Sequence, residues 1–143
     1  MRHKLAALAV TTVIVVGGSL ANATSASATI DPPAGGWDHT WTTTDAKQGG
    51  TVYVEEYGDV VQVCDTAADG VSPLVDVYYF NSTTNEWIHR YQLRAGGGVG
   101  SCASASASQG GAYNLPEGAE IEVDVWLNEV PDYASEHFYL NDH

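Results

Sequence analysis

The sequence predicts an all-β protein, an antiparallel β-sandwich of about seven strands, loosely immunoglobulin-like, with one disulfide. Short runs rich in Val, Ile, Tyr and Trp alternate with the two-residue period of a half-buried sheet, and Gly, Pro, Asn and Asp punctuate them. No helical period appears after Ala28, and Cys64 and Cys102 form an even pair.

Residues 1–28 read as an export signal. Arg2 and Lys4 make a positive start, Leu5 to Leu20 is apolar, and Ala26-Ser27-Ala28 is a small-residue cleavage signature. The mature chain is expected to begin near Thr29, to be released, and to lie outside the cell. Residues 29–48 read as a flexible N-terminal segment: Pro32-Pro33 and Gly35-Gly36 form a leader, and Trp37 to Thr43 alternates as an arm or edge strand with Trp37, His39, Trp41 and Thr43 on one face. Residues 49–143 are expected to form the sandwich.

Thr51 to Glu55 and Val60 to Cys64 are strands joined at Gly58-Asp59, and Leu74 to Phe80 is a third rich in β-branched and aromatic residues. The polar loop Asn81 to Asn85 leads into Glu86 to Arg94, where strict alternation puts Trp87, His89, Tyr91 and Leu93 on one face. Ala95 to Gly111 is too rich in Gly, Ser and Ala to build a core and reads as a long loop or short edge strand pinned at Cys102. Glu120 to Leu127 points Ile121, Val123, Val125 and Leu127 inward and Trp126 outward, and a turn at Pro131-Asp132 precedes a last strand from Glu136 to Leu140.

In an oxidising compartment the two cysteines pair rather than bind zinc, which needs more ligands. The bond closes a loop of 38 residues, equivalent in the chain-entropy account to about 4 kcal/mol. An immunoglobulin domain has wider cysteine spacing and a Tyr two residues before the second cysteine, where this chain has Gly100.

Once the signal is removed, Lys47, Arg90 and Arg94 stand against eighteen acidic residues, a net charge of about −15. Phosphate binding needs clustered Lys and Arg, so neither nucleic acid nor an anionic membrane is an expected partner. No catalytic motif appears. Gly98-Val99-Gly100-Ser101 is not a nucleophile elbow, and neither His39, His89 and His137 nor the pair Glu120 and Glu122 carries a pattern beyond strand alternation. The expectation is a non-enzyme without a cofactor.

Calcium has one candidate set, Asp65 and Asp69 in the turn Asp65-Thr66-Ala67-Ala68-Asp69-Gly70 with Asp76 downstream. Ala67 occupies a ligand position of an EF-hand loop and strands flank it, so an Asx-type turn explains the same residues more simply. Among the aromatics, Trp37, Trp41 and Trp126 are candidates for a protein-binding face or a sugar-stacking platform.

The run Val63-Cys64-Asp65-Thr66-Ala67-Ala68-Asp69-Gly70, with a Tyr-rich strand, a Gly-rich stretch and a second cysteine after it, resembles small secreted proteins of filamentous actinobacteria over about Val60 to Cys102. Proteins of this kind include the adaptor subunit of umbrella toxin particles, which inserts an N-terminal extension into its partner. The resemblance implies an adaptor that binds a secreted protein partner by strand addition through Thr29 to Thr43. Within that segment it is the alternation that puts Trp37, His39, Trp41 and Thr43 forward as contact residues. Two alternatives stand beside it. One is a carbohydrate-binding module using exposed Trp, and the other an inhibitor of a secreted hydrolase through Asn81 to Asn85 or Ala95 to Ser101.

Overall fold

The structure, a computed structural model, describes residues 29–143, so the expected signal lies outside the described residues. Eight strands run β1 His39–Thr42, β2 Gly50–Glu55, β3 Val60–Asp65, β4 Pro73–Asn81, β5 Glu86–Arg94, β6 Cys102–Ala105, β7 Glu120–Leu127 and β8 Val130–Leu140. They form two four-stranded antiparallel sheets, ordered β1-β2-β3-β6 and β5-β4-β7-β8. The strand beyond the expected seven is β6, the short edge strand in the Gly/Ser/Ala stretch. Two single 3-10 turns, Ala107–Gln109 and Gly111–Tyr113, follow it.

Alternation explains the core. Val52, Val54, Val61 and Val63 of the first sheet meet Val75, Val77, Ile121, Val123 and Val125 of the second, all fully buried. β-branched side chains are stiff and stand up from the pleat, which suits two layers packed face to face. Gly50 lies where the sheets come close: a Cβ there would fall 2.6 Å from the Pro73 Cβ.

Cys64 and Cys102 are bonded, and they are register partners on β3 and β6. The bridge therefore lies within one sheet, attaching its edge strand, whereas an immunoglobulin disulfide joins the two sheets.

Two sequence expectations are corrected. Trp87, His89, Tyr91 and Leu93 do not share a face. Val77 pairs with Tyr91 and Tyr78 with His89, so Arg90 is an extra residue in a β-bulge. Tyr91 is buried in the core, while His89 and Trp87 are exposed. Pro131-Asp132 is not the turn: β8 begins at Val130, the turn is Asn128-Glu129, and Glu129 has φ 68°. Pro131 is tolerated because β8 is an edge strand, where one side of the backbone needs no ladder donor.

The N-terminal segment, read from the sequence as an arm or an edge strand, is an edge strand. β1 pairs with β2 in regular register, His39 opposite Val54 and Trp41 opposite Val52. Its other side is tied to β8 by the Thr44 amide donating to the Tyr133 carbonyl (3.0 Å) and by Ser135 Oγ donating to the Thr42 carbonyl (2.8 Å). Upstream, the Ile30 amide donates to Gln62 Oε1 at 2.5 Å and Gln62 Nε2 donates back to the Ile30 carbonyl at 3.2 Å. The segment is an integrated edge strand with a fastened leader.

Candidate functional site

The outward residues of the second sheet fall in rows fixed by register. Gln92, Asp76, Asp124 and Glu136 form one row, and His89, Tyr78, Glu122 and Phe138 the next. Beyond them Phe80 pairs with Trp87, and Glu120 with Leu140. A carboxylate-rich band thus runs beside an aromatic one.

The aromatic band stays open to solvent. Trp87 is 38% exposed, Phe138 47% and Leu140 54%. Phe80 meets Trp87 with ring centroids 5.3 Å apart, and Trp87 meets Phe138 at 5.6 Å, so the cluster reaches from β5 to β8. The successive planes are inclined by 57° and 47°. Such rings make a knobbed apolar surface, not a flat strip.

Asp76 organises the carboxylate band. It accepts hydrogen bonds from Trp126 Nε1 (2.8 Å) and Gln92 Nε2 (3.0 Å), and His89 Nε2 lies 3.1 Å away. Glu122, Asp124 and Glu136 each bring a carboxylate oxygen within 4.8 Å of the others. Burial, then a hydrogen bond with Glu136 and the charges of Asp124 and Glu136, push the Glu122 carboxyl up to about 7. Burial, then the charges of Glu136 and Asp76, push Asp124 up to about 6. Like charges held this close keep protons, and protonated Glu122 can donate to Glu136. Asp124 Oδ1 is buried with no hydrogen-bond partner. A shallow cleft lies alongside, lined by Asp76, Asp124, Trp126, Ser135 and Glu136.

The calcium set expected from sequence does not assemble. Asp65 and Asp69 each close an Asx turn, accepting from the Ala67 amide (3.2 Å) and the Val71 amide (2.9 Å). Asp76 belongs to the other sheet and faces outward with the partners named above.

Of the expected contact residues, His39, Trp41 and Thr43 lie on the inner side of β1, whereas Trp37 precedes the strand and contacts Tyr53 on its outer side, centroids 5.5 Å apart. Trp41 is stacked between the imidazoles of His39 (5.0 Å) and His137 (4.7 Å), planes within 7°. Thr43 is buried, its Oγ1 accepting from the Gly50 amide at 3.0 Å. These side chains are committed to closing the β1–β8 side of the sandwich. Trp126 is half-buried against Asp76, and Trp87 is the most open indole that sequence reasoning left aside; the Arg90 bulge, invisible to simple alternation, is what separates Trp87 and His89 from the core.

One Ser–His contact occurs in this edge, His137 Nε2 to Ser135 Oγ at 3.1 Å. The Ser135 hydroxyl donates to the Thr42 carbonyl, so the imidazole is left to donate to the serine oxygen. Proton flow in that direction does not activate a nucleophile.

No family model matches the chain, and no curated protein or solved structure matches it either. Fold and site define a small disulfide-linked β-sandwich with one aromatic and acidic sheet face.

Proposed function

We propose that this chain is a secreted, non-enzymatic binding module that takes a protein partner on the outer face of the second sheet, acting as an adaptor in an extracellular assembly. The observation that carries the reading is the exposed cluster of Trp87, Phe138 and Leu140, backed by the half-buried Phe80 and bordered by carboxylates. Contiguous aromatic surface rimmed by charge is what protein interfaces use as anchors, and the acidic border selects a partner with basic groups. The tilt of Trp87 against both Phe80 and Phe138 favours a protein over a glycan, because a sugar platform presents ring faces in a common plane. Insertion of Thr29 to Thr43 into a partner would require β1 to leave both β2 and its contacts with β8.

The test is capture from the native culture medium by immobilised protein, in parallel with a Trp87→Ala/Phe138→Ser variant. Expected is a saturable protein partner, held less tightly as salt rises and lost in the variant while its melting temperature stays within a few degrees of the parent. Equal capture by the folded variant overturns the site, and depletion by insoluble polysaccharide with no protein captured overturns the partner class.

A further inference from the structure

We propose that one end of the sandwich is a binding site for a borderline divalent transition metal of the zinc class, with Glu56, Asp142 and His143 as ligands and His39 held on the other Glu56 oxygen as the residue that orients that carboxylate. These four come from three separate elements. His39 opens β1, Glu56 follows β2 directly, and Asp142-His143 follows β8. His39 Nε2 lies 2.6 Å from Glu56 Oε1, His143 Nδ1 3.3 Å from Glu56 Oε2, and His143 Nδ1 2.8 Å from Asp142 Oδ1. One ligand atom from each of Glu56, Asp142 and His143 lies within 4.8 Å of the others.

Ligand atoms bonded to a tetrahedral zinc at about 2.0–2.1 Å stand about 3.3 Å from one another. His143 Nδ1 stands 2.8 Å from Asp142 Oδ1 and 3.3 Å from Glu56 Oε2, close to that spacing, which leaves the fourth position of the ion to solvent. An imidazole with two carboxylates suits zinc, copper or nickel, whereas calcium takes oxygen alone. The Glu122, Asp124 and Glu136 group of the second sheet has no such nitrogen.

The segments that carry the ligands are also held in place. The Glu56 amide donates to Asp38 Oδ2 at 2.8 Å, and the His39 ring is stacked on Trp41 with planes 7° apart. Asn141, fully buried, donates from Nδ2 to Asp59 Oδ1 at 3.0 Å, and its amide donates to the Ala119 carbonyl at 3.0 Å. Asp59 stands in the same hairpin turn as Glu56, so this bond sets the segment leading to Asp142 and His143 against the Glu56 turn. A ligand set fixed by its surroundings before binding loses less freedom when the ion arrives.

The experiment uses untagged protein stripped with a chelator and titrated with Zn2+ alone, with Co2+ as a spectroscopic substitute and Ca2+ as comparator. Expected are one equivalent of Zn2+ bound, a visible absorption of four-coordinate Co2+, and no response to Ca2+. His143→Ala and Glu56→Gln should each weaken Zn2+ about tenfold or more, while Glu122→Gln leaves it unchanged. His143 is exposed, so its replacement keeps the test valid even if Glu56→Gln fails to fold. Absence of saturable Zn2+ binding, or binding that His143→Ala does not weaken, overturns the proposal.

Discussion

Asp59 carries more of the fold than its place in a surface turn suggests. With Gly58 it takes positive φ in the β2–β3 hairpin, and its carboxylate accepts the Leu115 amide (2.9 Å) and Asn141 Nδ2 (3.0 Å), all three groups buried. Removing one partner of a buried pair leaves the others unsatisfied, which costs more than the bond contributes. Asp59→Ala is therefore expected to lower stability by about 3 kcal/mol, read from the denaturant midpoint. A loss below about 1 kcal/mol would mean that water replaces the carboxylate. The sequence shows Gly58-Asp59 as a turn and no more, because the partners stand 56 and 82 residues away. Glu56, Asp142 and His143 escaped sequence reading for the same reason: ligands from separate elements share no local spacing.

At the scale of elements, the strands with a clean two-residue period were legible, and the irregular ones were not. Glu120 to Leu127 is β7 as expected, with Trp126 outward, because nothing interrupts its alternation. β5 defeats the same rule at Arg90, whose guanidinium leaves the ladder to donate to the carbonyls of Gly111, Ala112 and Asn114. That long-range anchor is what makes an extra residue tolerable there. β6 was legible only as an alternative, since small side chains give no pattern and its attachment depends on the Cys64–Cys102 bond. Cys64→Ser is expected to cost about 3–4 kcal/mol by the loop-closure account; an unchanged melting temperature would show that β6 pairs without it. At the opposite edge, Trp41→Ala removes an indole stacked between two imidazoles and should cost about 2 kcal/mol, less than a fully buried ring. Deleting 29–43 is expected to destabilise the whole domain, as it removes β1 itself.

For the molecule as a whole, charge makes stability depend on pH. Eighteen acidic residues repel one another throughout, and Glu122 and Asp124 concentrate the effect on one sheet face. Both have pKa values raised by folding, from 4.5 to about 7 and from 3.8 to about 6. Between those limits the folded protein holds protons that the unfolded chain has released, so its stability falls as pH rises. The contribution is full below about pH 4 and lost through pH 6 to 7. His137 acts in the opposite sense, because burial lowers its pKa from 6.5 and the unfolded chain takes up its proton first as pH falls. Two carboxyls raised to about 7 and about 6 outweigh one imidazole. The melting temperature is therefore expected to be higher at pH 5 than at pH 8, by about 4 °C or more. Glu122→Gln, which cannot ionise, should flatten that difference and raise the value at pH 8. A parent protein as stable at pH 8 as at pH 5, or a variant with an undiminished slope, would show that the carboxylate band sheds its protons without strain, and the acidic face would then present its full charge to a partner at neutral pH.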